Sequence, residues 1–271
     1  MRRCEGTSSS RDEALPLRGS DDPVAVRHIT WLGHSTVLIQ TGSVRLLTDP
    51  LLRNRVMHLR RRAPQALDPR PVDGVLVSHV HHDHLDRPSL RRVAGPSVAA
   101  VLPVGAARLL SGMPFQAVHE VRAGDAVDVG GVHVEAVPAW HDGRRLPGPR
   151  AREHDTLGFL TEGVWFAGDT DYNDGMEALR GRVEVALLPI WGWGPTPGPG
   201  HLDPEEAARV VALVEPRVVV PIHWGTYLPI GLGKRYERAL ARPAERFAAH
   251  TASLAPAAPV ETLAPGGSLD L

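Results

Sequence analysis

The sequence predicts an α/β protein in which two mixed β-sheets meet face to face with helices outside. Three observations carry this. Short β-like runs broken by helical stretches occur in both halves of the chain. Runs at 118–121, 126–129 and 132–137 alternate apolar and polar residues, as half-buried strands do. Side chains suited to holding a metal fall at strand ends in each half.

Composition narrows the class. At 271 residues and 42% hydrophobic, the chain can bury a large core. Its net charge of −1 gives no bulk attraction to nucleic acid, so no nucleic-acid partner is expected. Cys4 is the sole cysteine, which rules out an intrachain disulfide and argues against thiolate metal ligation. No apolar run approaches the ~20 residues of a membrane span, and Arg2 and Arg3 precede no apolar signal core. A cytoplasmic protein is the expectation, and a homo-oligomer is compatible with it. Residues 1–22 are rich in Ser, Arg and Asp without periodicity and predict a disordered leader, with 23–271 forming a single domain.

In order, 24–32, 36–41 and 44–48 read as three strands of a meander, separated by Gly33-His34 and Gly42-Ser43. His34 either borders a site or is satisfied by turn backbone. Asp49 ends the third strand and is expected to bond backbone or a ligand histidine. Residues 51–71 show no period and carry Arg60, Arg61 and Arg62; they are either a solvated basic loop or a grip for an anionic substrate, with Arg61 as its candidate. Residues 72–77 read as a buried strand. It runs into Ser78-His79-Val80-His81-His82-Asp83-His84-Leu85-Asp86, four imidazoles and two carboxylates in nine positions. In extended chain, residues i and i+2 point the same way. His79 and His81 can thus reach one ion, and Asp83 and His84, beyond a turn, a second. Neutral imidazoles crowded beside carboxylates are what a divalent cation requires.

A short helix over 86–93, a strand over 98–102 and a helix over 105–110 follow, then the three alternating strands. The last ends at His141, the expected third ligand for the first ion. Residues 143–155 form a Gly/Pro/Arg loop. A hairpin over 156–167 ends at Gly168-Asp169, where a carboxylate either bridges two cations with its two oxygens or bonds turn backbone. Residues 174–179 are helical with Asp174 as a possible cap, and 183–190 form an apolar strand. Trp191 and Trp193, in a Gly/Pro loop, either wall an apolar pocket or pack in the core. His201 precedes a helix running to about 213, with Asp203 as cap, Pro204 in the first turn and Glu206 completing a capping box. A strand over 217–222 ends at His223. A helix over 235–249 is broken or restarted at Pro243, and a short strand closes the chain near 268–271.

The run His79-x-His81-x-Asp83-His84 resembles the signature of the metallo-β-lactamase superfamily. That resemblance implies an αββα sandwich with a two-metal site at one sheet edge. Trp31-Leu32-Gly33-His34-Ser35-Thr36 and Thr48-Asp49-Pro50 resemble the opening of the branch holding the N-acylphosphatidylethanolamine-hydrolysing phospholipase D and the L-ascorbate-6-phosphate lactonase. The match spans about 26–226. His82 departs from it, since phospholipase-like members usually carry tyrosine there. Gathered strand-end ligands, in step with the resemblance, give His79, His81 and His141 to one metal, Asp83, His84 and His223 to the other, and Asp169 as bridge. Asp83 and His201 are the catalytic candidates; a histidine in the His201 context lies near the metals in the resembling branch.

The expected cofactors are two divalent ions, zinc first, with manganese or iron also suited to an N/O ligand set. Two cations ~3.5–4 Å apart can share a water and lower its pKa towards neutrality. The expectation is therefore a metal-dependent hydrolase acting on a small or lipid-like anionic substrate, foremost a phosphodiester. A lactone is the alternative. A diiron oxidoreductase on the same fold is a rival of another class, opposed by the His-x-His-x-Asp-His form, because oxygen-reducing relatives typically put glutamate in the first cluster.

Overall fold

The computed structural model describes residues 27–64, 67–146, 151–232, 236 and 240–271. The leader expected over 1–22 and the start of the helix expected over 235–249 lie outside them. The chain opens with β1 (Arg27–Gly33), β2 (Thr36–Thr41) and β3 (Val44–Thr48), an antiparallel meander. A small hairpin follows, β4 (Arg55–Val56) and β5 (Leu59–Arg61), where the sequence offered no element. Then come β6 (Gly74–Leu76), α1 (Arg87–Val93), β7 (Ala99–Pro103), a 3-10 turn at Ala107–Leu110, and β8 (Ala117–Val121).

The second half holds β9 (Ala126–Val129), β10 (Val132–Pro138), β11 (Leu157–Thr161) and β12 (Val164–Phe166). The stretch Asp174–Leu179 is a 3-10 helix capped by Asn173, whose Oδ1 accepts from Gly175 N, not by Asp174. After it come β13 (Val185–Pro189), α2 (Pro204–Val214), β14 (Val218–Ile222), β15 (Tyr227–Pro229), α3 (Arg242–Leu254) and β16 (Ser268–Asp270). Pro243 sits in the first turn of α3, where its missing N–H costs nothing.

The strands form a seven-stranded sheet in the order β16-β1-β2-β3-β6-β7-β8, a six-stranded sheet β14-β13-β12-β11-β10-β9, and a small sheet β15-β5-β4. Side-chain alternation explains the layering. On β13, Val185 and Leu187 face the core between the large sheets, while Ala186 and Leu188 pack outward with Val210 of α2 and Phe247 of α3. On β3, Leu46 enters the same central core, and Leu47 packs outward with Leu90 of α1. The result is helix, sheet, sheet, helix, the αββα sandwich expected.

Both large sheets contain parallel strands, β3-β6-β7-β8 in one and β12-β13-β14 in the other. Loops leaving the carboxyl ends of such strands are natural places for a site. Asp49 follows β3, the histidine loop β6, His141 β10, Asp169 β12 and His223 β14.

Candidate metal centre

The histidine loop turns as its spacing predicts. Leu85 N donates to His81 O at 2.8 Å, closing a turn between the first and second ligand pairs. Asp86 is removed from the site by capping α1, accepting from Ser89 N and Arg53 Nε. Asp169 is presented from a left-handed turn at Gly168 (φ +65°). A Cβ there would stand 2.5 Å from Leu157 O, so the position excludes other residues.

His79, His81 and His141 converge. His79 Nε2 lies 3.0 Å and His141 Nε2 3.1 Å from His81 Nδ1. The ligand atoms of His34, Asp83, His84 and His223 all lie within 4.8 Å of one another. Asp169 Oδ2 stands between, 3.1 Å from His84 Nε2 and 3.3 Å from the Nε2 atoms of His201 and His223. The rings of His79 and His84, one from each group, are 4.0 Å apart.

Hydrogen bonds set which nitrogen each ring offers. His84 Nδ1 donates to Asp49 Oδ2 at 2.7 Å. Ser78 Oγ donates to the same carboxylate at 2.6 Å, which leaves the hydroxyl to accept from His79 Nδ1 at 2.9 Å. His141 Nδ1 donates to Gly200 O at 2.7 Å and His223 Nδ1 to Trp191 O at 2.8 Å. All four rings therefore carry their proton on Nδ1 and turn a basic Nε2 inward, the tautomer that ligation needs.

The donor set fits divalent cations. His84 Nε2, His223 Nε2 and Asp169 Oδ1 are buried without a hydrogen-bond partner; the His84–Asp169 approach is close but not aligned as a hydrogen bond. Buried polar atoms are rarely left so, and a cation would complete them. Burial pushes His79, His81 and His223 below the usual imidazole range, and His141 down to about 4. For His84, burial is outweighed by the charges of Asp169, Asp83 and Asp49, which raise it. For Asp169, burial is outweighed by His223 and His84, which hold the carboxyl well below its usual range. The centre thus sets anionic charge, which draws positive charge to His84, among imidazoles at His79, His81, His141 and His223 that burial holds neutral, the environment a cation stabilises.

A cavity of about 240 Å³ opens onto this centre. His81, Asp83, Asp169 and His201 line it on the ligand side. Val56, Met57, His58, Leu59 and Trp193 supply apolar and aromatic wall; His82, Arg145 and Leu146 complete it. His201 has Nδ1 bonded to Pro199 O at 3.1 Å and Nε2 near Asp169, and is raised from its usual value because that carboxylate outweighs its burial.

Three candidates for substrate contact lie off the cavity wall. Arg61 is not a cavity residue: it is buried, with Nε donating to Pro64 O and Nη2 to Leu32 O, each at 2.6 Å, so it ties β5 to the end of β1. Trp191 does not wall the cavity either. Its indole bonds Gly194 O, and its contribution is the carbonyl that orients His223. His34 does border the centre, but buried behind Asp83, with Nε2 3.1 Å from Asp83 Oδ2 and its ring 4.0 Å from His223. Trp193 lines the cavity, its ring edge-on to His58 at 4.8 Å. Sequence reasoning missed His58, Met57, Arg145 and Leu146. The hairpin strands of two and three residues are too short to show a period, and Arg145 sat among other loop arginines.

Comparison with known proteins adds to this geometry. The Beta-lactamase superfamily domain matches residues 44–224. A UPF0173 metal-dependent hydrolase from Methanopyrus kandleri is 35% identical over 211 residues, covering 74% of this chain and 86% of that protein. The N-acyl-phosphatidylethanolamine-hydrolyzing phospholipase D 1 of Caenorhabditis elegans is 29% identical over 236 residues, covering 76% of this chain and 66% of that one. Among solved structures, Igni18, a novel metallo hydrolase from Ignicoccus hospitalis, superposes with a TM-score of 0.68 at 21% identity over 91% of this chain and 98% of its own. At that identity the likeness is one of fold.

Proposed function

As the chain belongs to the beta-lactamase superfamily, we propose that this metal-dependent hydrolase works with two divalent cations, zinc first, on a phosphodiester with an apolar portion. The observation that carries the reading is the convergence of inward-facing, partnerless Nε2 atoms and Asp169 Oδ1 at the edge of a largely apolar cavity. His79, His81 and His141 would hold one cation. Asp83, His84 and His223 would hold the other, and Asp169 would serve both. Cations held there supply Lewis acidity to a phosphoryl oxygen and lower the pKa of water.

The chain's own residues do the rest. Asp49, Ser78, Gly200 and Trp191 fix the ligand tautomers through Nδ1. His34 holds Asp83 Oδ2, orienting that carboxylate at the cavity wall. His201 Nε2 is placed to donate a proton to a leaving oxygen or to a developing oxyanion. Val56, Met57, Leu59 and Trp193 exclude water beside the reacting group and receive an apolar chain. The relative that hydrolyses N-acyl-phosphatidylethanolamine supports the phosphodiester class.

The test is elemental analysis of protein purified without chelator, joined to a screen of phosphodiester, lactone and thioester substrates. About two metals per chain and a clear preference for phosphodiesters are expected. A stoichiometry well below one after metal supplementation sinks the dinuclear reading. A preference for lactones sinks the phosphodiester one.

A further inference from the structure

We infer that Arg145 is a specificity residue, binding a permanent anionic group of the substrate that lies apart from the bond being cleaved. The inference rests on the hydrolase reading above and narrows its substrate class to amphiphiles with an anionic group and an apolar chain.

Arg145 lies on the loop after His141 and lines the same cavity as Asp83, Asp169 and His201. Its guanidinium is half-buried and donates to neutral acceptors. Nη1 reaches Val80 O and Leu85 O, and Nη2 reaches His82 Nδ1 at 3.1 Å and Leu85 O at 3.3 Å. Among the described residues no carboxylate stands within ion-pair distance of it. Its neighbours differ: Arg144 pairs with Asp142 at 2.7 Å, and Arg53 with Asp86 at 2.5 Å. Burial, and then the nearby Arg87, press the Arg145 pKa down, only partly offset by the charge of Asp86, which is already held by Arg53; it stays charged regardless.

The rest of the lining gives this charge its meaning. Asp83 and Asp169 belong to the candidate metal centre. Outside that centre the described wall is imidazole or apolar, so Arg145 is its one permanent charge. A half-buried guanidinium without a counter-ion forgoes part of its hydration, and an incoming anion restores it. Guanidinium carries five donors, and Nε makes no hydrogen bond with the described residues, so capacity for an anionic oxygen remains. Leu146, adjacent and 59% exposed, and Met57, 60% exposed, offer apolar surface at the same cavity. An anionic group beside an apolar chain matches both features. Arg145 also grips two carbonyls of the histidine loop, so a purely structural role must be told apart.

Calorimetric binding of octanesulfonate and of octanol to the metal-loaded protein does so. A sulfonate is a weak metal ligand and is not hydrolysed. The wild type should bind octanesulfonate about tenfold or more tightly than octanol, the scale of a charge-assisted contact. Arg145→Gln should erase that preference with metal content unchanged. Leu146→Glu, at an exposed position, should erase it too by placing a carboxylate beside the guanidinium. Retention of the preference in Arg145→Gln overturns the inference. If that variant instead loses metal, an unchanged preference in Leu146→Glu overturns it and makes Arg145 a brace for the loop. A chain that binds octanesulfonate through Arg145 yet cleaves no phosphodiester defeats the proposed reaction alone.

Discussion

His34, Asp49 and His223 hold left-handed backbone, with φ of 55°, 31° and 60°. They are three of the six non-glycine residues so placed among those described, and all three sit at the candidate centre. Strain of this kind persists where surroundings over-determine it. Here the fastening is visible: His34 N donates to Thr226 Oγ1, His223 N to His34 O, and Asp49 accepts three hydrogen bonds. Two residues in contact, Asp169 and His201, should nevertheless behave differently. Asp169→Ala should lose a metal and most activity while the fold survives. His201→Ala should lower turnover by roughly 10²-fold with metal content intact. Metal analysis and turnover on both variants decide. Activity of Asp169→Ala within about threefold of wild type, far above what loss of a metal-activated nucleophile leaves, removes the bridging role. Loss of metal from His201→Ala makes it a ligand.

Helix α2 shows how an element holds a residue it does not contain. Asp203 Oδ1 accepts from Glu205 N and Glu206 N at 2.8 and 2.9 Å, and Glu206 returns a bond to Asp203 N at 3.0 Å. Just before it, the buried Leu202 donates its N–H to Thr170 O at 3.0 Å, tying the helix start to the loop of Asp169. His201 needs no part in the cap. Asp203→Ala should therefore destabilise by about 1 kcal/mol, lowering Tm by about 2–4 °C for a chain of this size. Turnover should change far less than in His201→Ala. A melting curve identical to wild type would mean that the capping box contributes nothing measurable.

Across the whole molecule, two sheets deliver the candidate ligands to one end of a shared core. His79, His81, Asp83 and His84 come from one sheet and His141, Asp169 and His223 from the other. Cations held between them would cross-link the sandwich as well as serve the chemistry. Binding to the native state alone stabilises by about 4 kcal/mol at a thousandfold excess over Kd. Stripping metal with chelator should thus lower Tm by roughly 10 °C, reversibly on adding zinc back. Unchanged melting after verified removal would show that the sheets hold the ligands without help. Among the described residues no helix is long and apolar enough to cross a membrane.

The sequence by itself determined what is local. Strand alternation, the capping box of α2, and the i, i+2 spacing of His79 and His81 need only neighbours along the chain. So does the expectation that His141, Asp169 and His223 follow strands. The tertiary structure alone decided which distant groups meet. Asp49 was expected to bond backbone or a ligand histidine; the fold chose His84 and, through Ser78, His79. The hairpin of β4 and β5 is extended by β15, far along the chain, which pairs Tyr227 with Arg61. In that small sheet Arg61 is buried, and His58 at the hairpin turn meets Trp193 from another loop. Arg145, one of several arginines in its loop, lines the cavity because the folded loop brings its guanidinium to the carbonyls of Val80 and Leu85. A side chain's partners across the fold are set by packing, which a local pattern does not encode.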